Sequence, residues 1–279
     1  MKIPPIIQAS ELLELKDNKQ LILIDASNHK EALNNYHKSH LDGAIFVDSN
    51  KQLANIGLDA SKGGRHPLPS LEQFSNSLSE LGITPDSHVV IYDDKNGANS
   101  AARFWWMLRA VGHKKVQVLN GGMEAAIKVG FPVNDKKVVI AEVVPYPLAN
   151  WKLPLATIDE LEKNSEKENY LVIDVRENNR YRGEVEPIDL VAGHIPGAIN
   201  IPYLSNLDEN GLFYSPEVLK EKYSNVFKDK DTVVVHCGSG ITACHTLLAI
   251  AHAGLDIPKL YVGSWSEWSR SNNPIIKEI

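Results

Sequence analysis

The sequence predicts an α/β protein made of two tandem units, each a mostly parallel sheet flanked by helices. Three observations predict it. Short apolar strands alternate with helical segments along the whole chain. A buried strand ending on a carboxylate occurs twice, as Leu21 to Asp25 and as Tyr170 to Asp174. A His-x-x-Gly-Ala turn also occurs twice, opening at His40 and at His194. At 279 residues the chain is long enough for two ordinary domains.

Taken in order, the halves repeat the same signals. His88 to Asp93 is answered by Thr232 to Cys237, Leu119-Asn120-Gly121 by Tyr261-Val262-Gly263, and Pro132 by Pro274. The spacing between partners drifts only slightly, as short loop insertions would make it, so one duplication accounts for all the pairs. A period this long means two whole domains and not a solenoid of short units. Helices are expected over Leu71 to Leu81, Ser100 to Val111, Pro216 to Tyr223 and Ala243 to Ala253, the last with its apolar residues on one face. Residues 143–155 hold three prolines, which interrupt any helix or central strand. The expected division is therefore a first unit over 1–142, a linker over 143–155 and a second unit over 156–279.

Composition narrows the function classes. The chain is 43% hydrophobic and 23% charged, with a net charge of −6 and no block of Lys or Arg, which argues against a nucleic-acid partner. The opening stretch, Met1 to Ile7, carries one positive charge and an apolar run broken by two prolines, too short for a signal-peptide core. No apolar run approaches the roughly 20 residues needed to span a bilayer. A cytoplasmic protein is expected. Two cysteines argue against a disulfide framework, and without a paired Cys-x-x-Cys there is no zinc signature. His37 and His40 have a spacing open to a metal pair, but no further ligands gather near them, so they read as solvated loop residues.

The chemistry concentrates at Cys237. Val233, Val234 and Val235 read as a buried strand, and Cys237-Gly238-Ser239-Gly240-Ile241-Thr242 as the turn into the following helix. Two glycines allow positive φ and inward-facing amides, an anion-holding arrangement. With the positive end of the helix dipole, those donors favour thiolate over thiol and make Cys237 a nucleophile. An isolated cysteine is more often a small buried apolar residue. A Gly-x-Gly loop joining strand to helix shifts the balance toward function. The first-half position matching Cys237 is Asp93, so that unit keeps the scaffold without the thiol. Cys244, inside the helix among apolar neighbours, reads as inert.

The Cys237 to Thr242 loop, the paired His-x-x-Gly-Ala turns and Gly263-Ser264-Trp265-Ser266-Glu267-Trp268 resemble the tandem-domain rhodanese-type sulfurtransferases, over nearly the whole chain. Within that family the Gly-Ser-Gly loop is similar to the 3-mercaptopyruvate version; thiosulfate-preferring members carry a basic pair where Gly238 and Ser239 stand. The resemblance implies two rhodanese-like domains, the second catalytic. It also implies a two-step reaction without metal or cofactor. Cys237 takes the outer sulfur of a small donor, 3-mercaptopyruvate or thiosulfate, as a persulfide. It then passes that sulfur to cyanide, a thiol or thioredoxin. Amides of Gly238, Gly240, Ile241 and Thr242 would stabilise the terminal sulfur, as an oxyanion hole does for oxygen.

Other roles follow from the resemblance. Ser239 would polarise the leaving enolate, where otherwise it is a turn serine. His66, on a first-half loop, would reach across the domain boundary to pair with it, although the relay's usual acid falls at Asn50, leaving Asp48 or Asp59 as substitutes. Arg180 matches one of two arginines that clamp the substrate carboxylate, as a guanidinium fork suits it to do. The second position is Ile188, so Arg182 or Arg65 would have to compensate, or the donor would be thiosulfate. Trp265, Trp268, Trp105 and Trp106 read mainly as packing. Two rivals remain. A cysteine phosphatase shares the loop pattern but needs an arginine where Ala243 stands. A persulfide carrier needs the same thiolate without turnover.

Overall fold

The computed structural model describes residues 3–141 and 143–278. Met1 and Lys2 of the opening stretch, residue 142 at the expected end of the first unit, and residue 279 lie outside the described residues. The chain forms two compact units. The first comprises 3–54, 69–152 (without 142) and 209–213, and the second 55–68, 153–208 and 214–278.

The first unit runs β1 (Ile6–Ile7), α1 (Ala9–Glu14), β2 (Leu21–Asp25), α2 (Ala32–Lys38), β3 (His40–Leu41), β4 (Ile45–Phe46), α3 (Ser49–Gln52), α4 (Leu71–Glu80), β5 (His88–Tyr92), α5 (Ala101–Ala110), β6 (Val116–Leu119), α6 (Gly122–Lys128) and β7 (Val133–Asn134). Its main sheet has the order β1-β6-β5-β2-β4, with every pairing parallel. β3 and β7 form a separate antiparallel pair. The second unit runs β8 (Leu155–Ala156), α7 (Ile158–Asn164), β9 (Tyr170–Asp174), α8 (Asn178–Arg182), β10 (Ile199–Asn200), a 3₁₀ turn (Tyr203–Asn206), α9 (Pro216–Val226), β11 (Thr232–His236), α10 (Thr242–His252), β12 (Lys259–Tyr261) and α11 (Ser264–Trp268). Its sheet, β10-β9-β11-β12-β8, repeats that order element for element and is again wholly parallel. Even the register repeats, since Leu21 pairs with His88 as Tyr170 pairs with Thr232.

The repeated turns explain themselves. In each copy the tyrosine hydroxyl donates to the turn's alanine carbonyl, Tyr36 to Ala44 at 2.8 Å and Tyr181 to Ala198 at 2.6 Å. In each copy the histidine Nδ1 donates to that tyrosine's carbonyl and the two rings stack, at 4.1 Å for Tyr36 and His40 and 3.8 Å for Tyr181 and His194. His40 is thus a buried pin in β3 and not a solvated loop residue.

Two further expectations change. α10 is buried on every side from Ala243 to Ile250, packed by β11, α9 and the 3₁₀ turn, so its apolar residues wrap the whole helix. The expected linker is part of the first unit up to Lys152. The Tyr146 hydroxyl donates to Nδ1 of His113 at 2.8 Å, Trp151 packs on Phe74 and Trp106, and the Lys152 amide donates to the Ala110 carbonyl. Residues 55–68, expected in the first unit, pack with the second, and residues 209–213 pack with the first.

Candidate active site

β11 is the central strand of the second sheet and delivers Cys237 at its carboxyl end, where ligands of parallel sheets bind. Five residues, Cys237 to Ile241, link it to α10. Of the two glycines only Gly240 takes a left-handed φ, +75°; Gly238 does not need one. Cys237 and Ser239 are buried, whereas Ile241 and Thr242 are half-buried. α11 braces the loop from outside. The Trp265 amide donates to the Cys237 carbonyl at 3.0 Å, the Ser266 amide donates to the Gly238 carbonyl at 2.8 Å, and the Cys237 amide donates to Ser264 Oγ. In the first unit a longer loop carries Asp93 at the position matching Cys237: its carboxylate accepts from the amides of Lys95, Gly97, Asn99 and Ala101 at 2.8–3.1 Å, while burial, only partly offset by those amides, raises the carboxyl to about 6.

Residues 55–68 are docked against α11. Gly63 donates its amide to Glu267 Oε1 at 2.7 Å and Arg65 donates its amide to Ser266 Oγ at 3.0 Å. Gly64 permits the approach: a Cβ there would stand 2.3 Å from the Gly263 carbonyl oxygen, at a φ of +80° that side chains rarely adopt. His66, two positions after Gly64, is half-buried on this segment and so belongs to the same unit as Cys237. The suggested relay acids serve elsewhere. Asp48 caps α3, and Asp59 accepts from the Ser61 amide and hydroxyl, which hold its carboxyl below the usual range.

A chain of ion pairs lies beside the loop. Asp174, at the end of β9 and fully buried, grips Arg176 through Nε at 3.0 Å and Nη2 at 2.6 Å. Arg176 lies 4.5 Å from the centre of the Trp265 ring and reaches Glu186 at 3.2 Å. Glu186 also takes Nε and Nη2 of Arg180, at 3.2 and 2.7 Å. Asp189, whose side chain is fully buried, is shared by Arg65 (3.0 Å), Arg270 (3.1 Å) and Arg180 (3.7 Å). Burial alone would raise the Asp174 and Glu186 carboxyls. Arg176 reverses this for Asp174, and Arg180 with the backbone amides of Asp189 and Ile188 for Glu186, so both sit below their ordinary values. His236 is held below its ordinary value by burial, against the opposing pull of Asp174 at 3.8 Å. Four guanidiniums thus face three buried carboxylates, Glu177 joining only at the solvent edge.

Two of those guanidiniums reach the loop. From the position a Gly238 Cβ would occupy, Arg65 Nη2 is 3.1 Å away and Arg180 Nη2 3.5 Å. The other candidates point elsewhere. Arg182 is half exposed, pairing with Glu184 and the Glu278 carbonyl, and Ile188 is exposed. Trp265 and Trp268 belong to the core cluster, and Cys244 is buried in α10 with its thiol toward the Gly240 carbonyl. Glu186, Asp189 and Arg270 carried no local motif. The proximity of Asp189 to the unexpected Ile188 was the one available signal.

A family model described as "Rhodanese-like domain" matches residues 8–128 and 157–271. Among curated proteins, the chain is 39% identical over 240 residues to the "Probable 3-mercaptopyruvate sulfurtransferase" of Pseudomonas aeruginosa, covering 84% of this chain and 82% of that one. It is 34% identical over 272 residues to the "Thiosulfate sulfurtransferase" of Rattus norvegicus, covering 93% and 88%. Among solved structures, the 3-mercaptopyruvate sulfurtransferase SseA from Escherichia coli superposes with a TM-score of 0.76 at 30% identity, over 95% of this chain and all of that one. Among the described residues no helix is long and apolar enough to cross a membrane.

Proposed function

The chain belongs to the rhodanese family of sulfurtransferases, and from that premise we propose that it moves a sulfane sulfur from 3-mercaptopyruvate through a Cys237 persulfide to a thiophilic acceptor. The observation that carries this reading is a buried thiol at the end of a central parallel strand, with guanidiniums beside its loop. The Cys237 thiolate attacks the donor's sulfur. The sulfur–sulfur bond forms as the carbon–sulfur bond breaks, and the departing electron pair becomes the enolate of pyruvate. The donor's thiol proton balances that carbanion, leaving pyruvate and a charged persulfide. An acceptor, whether cyanide, a thiol or thioredoxin, then takes the outer sulfur and returns the thiolate, so one transfer becomes two easier ones.

In this reading the amides of Gly238, Gly240, Ile241 and Thr242 hold the negative persulfide sulfur, as the Asp93 loop holds a carboxylate. Ser239 donates its hydroxyl to the enolate oxygen, His66 orients Ser239, and Arg180 draws in the donor carboxylate. Two free cysteines fit a reducing compartment, the cytoplasm. The exposed Ile188, where a second clamp arginine is expected, favours thiosulfate as the second reading.

Comparing kcat/KM for the two donors, with cyanide as common acceptor, tests the assignment. Mercaptopyruvate should lead. A tenfold preference for thiosulfate, about 1.4 kcal/mol in transition-state binding, would overturn it. Sulfur loading in one burst without further turnover would mark a carrier instead of an enzyme.

A further inference from the structure

The two guanidiniums at the Cys237 loop are not equivalent. Arg180 is committed: Nε and Nη2 go to Glu186, Nη1 to Glu177, and only 11% of its side chain is exposed. Arg65 gives just one edge, Nε and Nη2, to Asp189. Among the described residues its Nη1 makes no hydrogen bond, and 26% of its side chain is exposed. Asp189 in turn has Arg270 and Arg180 as further partners, so it stays neutralised when Arg65 turns a free edge toward a ligand. The absence of a side chain at residue 238 leaves the space that Arg65 Nη2 fills.

We propose that Arg65, held on its Nε–Nη2 edge by Asp189, is the specificity-determining residue that binds the carboxylate of the 2-oxo acid donor through its free Nη1 edge. The inference rests on the sulfur-transfer reading for the identity of the donor. A cation beside the Cys237 loop thus comes from the docked segment 55–68 and not from the loop itself. Arg180 acts on the ligand chiefly through its charge.

The test measures two things in wild type, Arg65→Ala, Arg65→Lys and Arg182→Ala: steady-state kinetics with mercaptopyruvate, and competitive inhibition by 3-mercaptopropionate, a carboxylate that lacks the 2-oxo group. Arg65→Ala should raise KM and the inhibition constant about tenfold, roughly 1.4 kcal/mol of binding, with a smaller change in kcat. Arg65→Lys should recover part of this, because charge survives while the planar fork is lost. Arg182→Ala should match wild type. Thermal unfolding of each variant separates misfolding from lost binding, and Arg65→Lys reports on the site even where alanine loosens the segment. An Arg65→Ala enzyme within twofold of wild type in both constants, with Cys237 still loading sulfur, overturns the inference and leaves sulfur transfer standing. If the wild type never loads sulfur, weaker direct binding of 3-mercaptopropionate to Arg65→Ala than to wild type, read by titration calorimetry, keeps Arg65 as a carboxylate site and sinks the sulfur-transfer reading.

Discussion

Asp174→Asn should destabilise the second unit by about 3 kcal/mol at neutral pH, while the equivalent Asp25→Asn should change the first by no more than about 1 kcal/mol. The two aspartates close matching strands in the same register. What differs is two positions on. Asp174 has Arg176, whose guanidinium makes three short contacts with its carboxylate, whereas Asp25 has Ser27, whose amide donates at 2.9 Å. Breaking a buried ion pair costs about 3–5 kcal/mol because the surviving charge is stranded. Glu186 at 3.2 Å and the Gly193 carbonyl at 2.6 Å still serve Arg176, which places the cost at the low end. No guanidinium is stranded by Asp25→Asn.

The pH dependences should have opposite signs. Asp174 is held below its ordinary value, so its contribution is present above about pH 4 and is lost as pH falls through its folded value. Asp25 is pushed up by burial, so its ionisation weakens the fold as pH rises above about 4, and Asp25→Asn should gain on wild type in that direction. Amide hydrogen exchange at β9 and at β2 reads each unit's opening free energy separately. A loss below 1 kcal/mol for Asp174→Asn, or equal losses for the pair, would refute the reasoning.

Further outcomes follow from particular contacts. Gly64→Ala should undock residues 55–68, at a cost of roughly 1–3 kcal/mol in local strain, and limited proteolysis should then cut there faster than in wild type. Tyr36→Phe and Tyr181→Phe each delete one buried bond to the turn and should lose about 0.5–1.5 kcal/mol apiece in urea unfolding; a cost in only one would break the equivalence of the repeats. Cys244→Ser should keep sulfur transfer within about threefold of wild type, an order-of-magnitude bound for a thiol buried away from the chemistry.

The duplicated architecture was legible because its signals are local. A five-residue apolar strand ending on a carboxylate and a His-x-x-Gly-Ala turn each carry their own reason for forming, and both recur. The two-residue strands β1, β4, β8 and β10 are too short to show any period. The all-round burial of α10 was missed because periodicity reports a face, not how many neighbours surround it. Docking of residues 55–68 could not be read either, since it depends on Gly64 meeting the backbone of Gly263 some two hundred residues away. Cys237 stood out through its loop. The arginine wall did not, because Asp189 joins residues 65, 180 and 270, whose distances in sequence carry no pattern. Arg65 was suggested only as a substitute for the arginine expected at Ile188, and contacts alone distinguish it from Arg182.

The most direct measurement is intact-protein and peptide mass spectrometry after brief treatment with mercaptopyruvate. The peptide holding Cys237 should gain about 32 Da, one sulfur, lose it on addition of cyanide, and show neither change in Cys237→Ser. No gain on that peptide, or a gain that persists in Cys237→Ser, would contradict the account.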